Sequence, residues 1–166
     1  MLVARRLAGF QLGVCSVLLA SVSIAGEYRD TGLGFSLQPP AFVPGTKPGM
    51  IQPVIFSASP SDGFAPNCNV QVQNADLSIQ RYEELTNQQF KSAGWVVSER
   101  ISTAVSGKPA LRWHYSGALR GKEFEWVAVV IAVPKRFYLM TCTALKEHFA
   151  ENAAVFDNSL ASFKVP

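Results

Sequence analysis

Four extended segments follow one another between Trp95 and Ala144 with almost nothing between them, and that run constrains the fold more than any other feature of the chain. Trp95–Val105, Pro109–Gly117, Glu123–Val133 and Phe137–Ala144 are rich in β-branched and aromatic residues. Turn-forming residues separate them: Ser106, Gly107 and Lys108, then Gly117 to Lys122 with Gly121, then Pro134, Lys135 and Arg136. Links this short cannot carry the crossover that a parallel pair needs, so the four segments predict an antiparallel meander. Trp126 to Val133 is apolar on both faces, which predicts a central strand covered from both sides.

The flanking sequence supplies the cover. Cys68, Val70 and Val72 alternate with Asn67, Asn69, Gln71 and Gln73, a strand with one wet face. A helix follows, with Ser78 as its cap, Leu77 and Tyr82 spaced as a hydrophobic staple, Glu83 and Glu84 early, and Gly94 placed for a left-handed ending. Ile79, Tyr82, Leu85, Phe90 and Ala93 fall within an arc of about 140°, one buried stripe. Phe149, Ala153, Phe156, Leu160 and Phe163 predict a second one-sided helix running to Val165 and Pro166, with His148 in its first turn. Between Pro39 and Pro66, seven prolines exclude a long helix. There Gly34–Gln38 and Ile51–Ser59 are the extended pieces, Pro53 restricting the second to a sheet edge or a strand start. The order predicts an α+β domain: an antiparallel sheet of about six to seven strands with helices packed against it.

Residues 7–25 are of another kind. Arg5 and Arg6 precede an apolar stretch from Leu7 to Ala25, after which the chain turns polar at Gly26 and Glu27. This is the layout of a secretory signal, with Ser23 and Ala25 as the small residues of a peptidase site and cleavage after Ala25. An uncleaved anchor helix is the alternative. Cleavage leaves residues 26–166 as a single domain with no stable membrane span. It also leaves 13 of the 15 Lys and Arg against 12 Asp and Glu. A balance so near neutrality points away from nucleic acid as a partner.

Export bears on sulfur chemistry. Cys68 and Cys142 are the cysteines left after cleavage, each on the apolar side of its strand, and an oxidising compartment favours their pairing. Antiparallel adjacency of the two strands would set them opposite one another. Two buried free thiols are the alternative.

A sparse set of residues carries a resemblance. Gly34-Phe35-Ser36-Leu37 before Pro39 and Pro40, the strand Asn67 to Gln73, and Asp76-Leu77-Ser78 with Tyr82 open it. Gly107-Lys108-Pro109-Ala110 before a strand ending in Tyr115, then Tyr138 to Thr143 and Phe156 to Phe163, complete it. From Gly34 to Val165 the chain resembles the PsbP/DcrB-like superfamily. The resemblance implies an α/β/α sandwich, commonly exported, that binds other proteins or assists an assembly and has no catalytic centre common to the family. The stretch from Ala41 to Pro66 departs from the pattern.

The chemistry-bearing residues point the same way. Metal binding needs three or four ligands, whereas His114 and His148 each lack a second histidine at coordinating spacing. His114 falls on the polar side of a strand and reads as a surface or hydrogen-bonded residue; His148 reads as part of a solvated face. Ser106 lacks the flanking glycines of a nucleophile elbow, and Cys142 lies on the apolar side, away from His114. Trp95, Trp113 and Trp126 read as core rather than as a ligand platform. Topology places Lys108, Lys135 and Arg136 at one rim of the meander, a contact surface for an acidic partner or lipid headgroups, with solubility charges at hairpin tips as the plainer alternative, and sends Arg120 and Lys122 to the opposite end. The expectation is a non-enzymatic envelope or secreted binding module without a cofactor, its partner another envelope or secreted protein. A small-ligand carrier with a pocket between sheet and helices is the alternative, and a hydrolase the third reading.

Overall fold

The computed structural model describes residues 26–40, the backbone of 43–45, and 54–166. The signal segment, its cleavage point after Ala25, and Pro53 lie outside the described residues.

The meander forms as the turns dictate. Four strands, β6 (Val96–Val105), β7 (Lys108–Leu119), β8 (Lys122–Val133) and β9 (Arg136–Leu145), pair antiparallel in succession. β5 (Asn67–Asn74) pairs antiparallel with β9, then β4 (Val54–Ser57) with β5 and β3 (Val43–Gly45) with β4. The result is one seven-stranded sheet in the order β3-β4-β5-β9-β8-β7-β6, beside a small hairpin of β1 (Tyr28–Asp30) and β2 (Phe35–Leu37). β4 is therefore an interior strand, so the extended piece around Ile55 begins at Val54 rather than running along an edge.

Two helices cover opposite faces. Helix α1 (Ile79–Ala93) lies over Leu111, Trp113, Tyr115, Trp126, Ala128 and Phe137. Ser78 Oγ accepts from Arg81 N at 3.1 Å, and Gly94 at φ 71° closes the helix. There Gly94 N donates to Lys91 O at 3.1 Å and Trp95 N to Phe90 O at 2.9 Å, the two bonds of a Schellman ending. The predicted stripe is only half used: Phe90 is buried, Ile79, Tyr82 and Leu85 are half-buried, and Ala93 is exposed.

Helix α2 (Phe149–Ala161) covers the other face, where Val127, Val129, Ile131, Tyr138 and Met140 meet Phe149, Phe156 and Leu160. It stops earlier than the apolar spacing predicts. Phe163 is buried beyond its end, and Lys164 instead forms a bridge to Ser36, with Ser36 N donating to Lys164 O at 3.0 Å and Lys164 N to Ser36 O at 2.8 Å. The chain end is thus an extended clasp on the β1–β2 hairpin. His148 lies in a short 3-10 turn (Lys146–His148) that feeds α2. With α1 on one face and α2 on the other, β8 is apolar on both sides because both sides are buried. This is the expected α/β/α arrangement.

The two cysteines stand opposite one another in the β5–β9 register, and their sulfurs are joined, Sγ to Sγ 2.00 Å, across 74 residues of chain.

Candidate functional site

Hairpin turns put the cations where they are. Ser106 at φ 52° and Gly107 at φ 74° turn β6 into β7, leaving Lys108 as the first residue after the bend. Pro134 and Lys135, the latter at φ 61°, turn β8 into β9, leaving Arg136 as its first residue. Since these two turns share an end of the meander, Lys108, Lys135 and Arg136 line one open groove of about 520 Å³.

Asn74, Tyr138 and Pro166 complete the groove. Sequence reasoning missed these three because they arrive from the end of β5, the third position of β9 and the folded-back chain end. Asn74 is opposite Arg136 in the β5–β9 register, and Ala75 N donates to Lys135 O at 3.2 Å, which anchors the turn. Tyr138 Oη receives Arg136 Nη1 at 3.3 Å and itself donates to Leu33 O at 2.9 Å. Among the described residues none of the three cations has a carboxylate partner.

The other concavities contrast with this one. Beside it, a groove around Glu27, Arg29, Asp30 and Lys164 mixes both signs. Glu27 is held below its usual carboxylate range, first by Ser36 Oγ donating at 2.9 Å and then by Arg29 at 3.0 Å. At the opposite end of the meander Lys122 and Lys146 face Asp62, Glu123 and Glu147. Lys122 Nζ donates to Asp62 O, and His148 bonds Asp62 Oδ2 at 2.9 Å and Glu151 Oε1 at 3.3 Å. His148 is therefore tied into a local network. A fourth space, about 300 Å³, lies between α1 and the sheet and is walled by Tyr82, Leu85, Phe90, Trp113, Tyr115 and Leu139.

The remaining candidates have local duties. His114, read as a surface or hydrogen-bonded residue, takes the second role at a half-buried position: it stacks on Phe149 with centroids 5.0 Å apart and sets Nε2 2.6 Å from Glu125 Oε1. Its neighbour Arg112 reaches Asp157 of α2 at 2.9 Å. Cys142 shares its sulfur with Cys68 and offers no thiolate to His114. Ser106 makes no hydrogen bond to either histidine among the described residues. The three tryptophans are packed together on the α1 face. Trp95 stacks on Trp126 at 4.7 Å and on Tyr115 at 5.7 Å, and Trp113 meets Phe90 edge-on at 6.2 Å. No group of three potential metal ligands occurs among the described residues, and none of their helices is long and apolar enough to cross a membrane.

Comparison with known proteins adds the fold. No family model matches the chain, and no curated protein matches it. Solved structures do. Cyanobacterial PsbP (CyanoP) from Synechocystis sp. PCC 6803 superposes with a TM-score of 0.62 at 17% identity, covering 93% of this chain and 99% of its own. LpqN of Mycobacterium tuberculosis, described as involved in cell envelope biogenesis, gives 0.62 at 12% identity, covering 85% and 90%. PA94 of Pseudomonas aeruginosa, a protein of unknown function, gives 0.63 at 14% identity, covering 85% and 96%. The chain has a PsbP-like fold.

Proposed function

We propose that the protein is an exported, non-enzymatic binding and assembly module of the cell envelope, engaging an acidic segment of a partner protein through the groove of Lys108, Lys135 and Arg136. The observation that carries this reading is the convergence of three cations without carboxylate partners on two adjacent turns. The two other charge-lined grooves described above gather both signs. Unpaired surface cations accelerate encounter with an acidic partner and make the association salt-dependent.

Compartment and fold support the same reading. A joined Cys68–Cys142 pair suits an oxidising setting, which is where a chain whose first 25 residues have the layout of a secretory signal would be sent. LpqN, which shares the fold, is involved in cell envelope biogenesis. Fold alone does not assign function, so the groove carries the argument.

The test is quantitative capture from envelope extract of the native host by the mature protein and by the Lys108→Glu, Lys135→Glu, Arg136→Glu triple variant. The wild type should recover a partner at low salt and lose it as salt rises. The variant should recover at least about tenfold less and show a flatter salt dependence. Equal recovery by both proteins would rule the groove out.

A further inference from the structure

One margin of the seven-stranded sheet is long and open. β3, at one edge, has three residues with Pro44 among them, whereas β6, at the other, has ten, all exposed except the half-buried Val105. Edge strands are ordinarily blunted by brevity, lysine, proline, a bulge or a cover, because their outer N–H and C=O groups can pair with another strand. β6 carries no lysine or proline, and its bulge between Val97 and Glu99 leaves residues 99–105 in unbroken register with β7. Among the described residues, three of the five large apolar side chains left exposed lie on this strand: Val96, Val97 and Ile101.

Turn geometry says which backbone groups face outward. Ser106 and Gly107, both at positive φ, form a two-residue type I′ turn, which closes on a hydrogen-bonded pair, here Val105 with Lys108. Bonded and non-bonded pairs alternate along an antiparallel ladder, so Glu99, Ile101, Thr103 and Val105 bond to β7. Arg100, Ser102 and Ala104 therefore turn their N–H and C=O groups to the open edge, and among the described residues no loop or turn backbone bonds them. The two charges of this stretch are engaged within the chain: Arg100 bonds Glu83 of α1, and Glu99 lies 3.6 Å from Arg112.

We propose that β6 pairs with β6 of a second copy, antiparallel about Ser102, joining the two sheets into one. A two-fold axis at Ser102 sets Arg100 opposite Ala104 of the second copy and Ser102 opposite itself, so all three outward residues meet outward partners. Glu99 falls opposite Val105 and Ile101 opposite Thr103, with the two Ile101 side chains diagonal across the seam. No like charges meet. An axis at Arg100 would oppose the two guanidinium groups, and one at Ile101 would set Ala104 against the bulge at Ser98. With 13 Lys and Arg against 12 Asp and Glu after residue 25, the copies approach with little net repulsion. None of Lys108, Lys135 and Arg136 belongs to β6, and the seam stands independently of the cation groove.

Sedimentation of the mature protein over a concentration series should show a monomer giving way to twice its mass. In the wild type the amides of Arg100, Ser102 and Ala104 should exchange with deuterium at least about tenfold more slowly in concentrated than in dilute samples, while those of Ile101 and Thr103 are slow in both. Ser102→Pro removes both bonds of the central pair and spares the β6–β7 ladder, so it should weaken the dimer about tenfold or more. Ser102→Cys should form a disulfide between copies on mild oxidation and Thr103→Cys should not, because facing residues of a bonded pair stand about 5.5 Å apart at Cα and diagonal ones beyond about 7 Å. A single-chain mass at every concentration would overturn the proposal. So would a dimer in which the three amides exchange as fast as in the monomer, or Thr103→Cys joining as readily as Ser102→Cys.

Discussion

His148 bonds two carboxylates from different parts of the chain, Glu151 in the helix that follows it and Asp62 in a distant turn. These bonds, that to Glu151 first, raise its pKa above the ordinary imidazole value. A raised folded value means that protonated His148 holds the turn more strongly. The contribution is complete below the unfolded value of about 6.5 and is lost as pH rises through the folded one. Titration of the imidazole resonances should give a midpoint above 6.5 in the wild type. His148→Gln should abolish the corresponding loss of stability toward alkaline pH, and an unshifted midpoint would dismiss the coupling. The second prediction at this scale concerns sulfur. The Cys68–Cys142 bond closes 74 residues of chain and, through its constraint on the unfolded state, contributes about 4 kcal/mol. The Cys68→Ala, Cys142→Ala double variant should lose stability of that order in denaturant titration. A loss under about 1 kcal/mol would show that the reference state is already ordered.

Among the elements, β7 shows how a turn signal misleads. Gly117 reads as the start of a turn, yet β7 continues to Leu119, and the bend falls at Arg120 and Gly121, φ 52° and 79°. The glycine is needed for space: the Trp95 ring lies against its α-carbon, and a Cβ there would collide with Trp95 Cδ1. Gly117→Ala should therefore push Trp95 off Trp126 and Tyr115, changing the tryptophan emission and costing about 1–3 kcal/mol. Unchanged emission and stability would show that the ring relaxes freely. Helix α1 shows the converse. Its capping was legible to the residue because caps are local chemistry, while its looseness was not, since the apolar stripe does not reveal how far the sheet holds the helix away. The early end of α2 was hidden for a similar reason. Phe163 keeps the helical spacing, but the backbone pairing of Lys164 with Ser36 draws the chain into extended form.

On the scale of the molecule, the meander follows from periodicity, turn residues and short links, the cysteine register follows once β5 and β9 are neighbours, and the helix on each face is what the resemblance implied. What escaped the sequence was long-range. Strands β1 and β3 are three residues each, too short for a periodic signal, and the interior position of β4 depends on partners at both its edges. The candidate groove was half legible: alternate hairpin turns of a meander share an end, so Lys108, Lys135 and Arg136 could be grouped. Asn74 and Pro166 could not, because nothing local says where β5 and the chain end lie. The cavity under α1 was foreshadowed only as a space between sheet and helices. Its neutral lining emerges from packing.

The functional reading presupposes export, and the mass of the protein taken from its native host tests that directly. The mature form should begin at Gly26 and take up no thiol-alkylating reagent until it is reduced, after which Cys68 and Cys142 should both react. A soluble species still carrying Met1, with both thiols alkylated without reduction, would contradict the account.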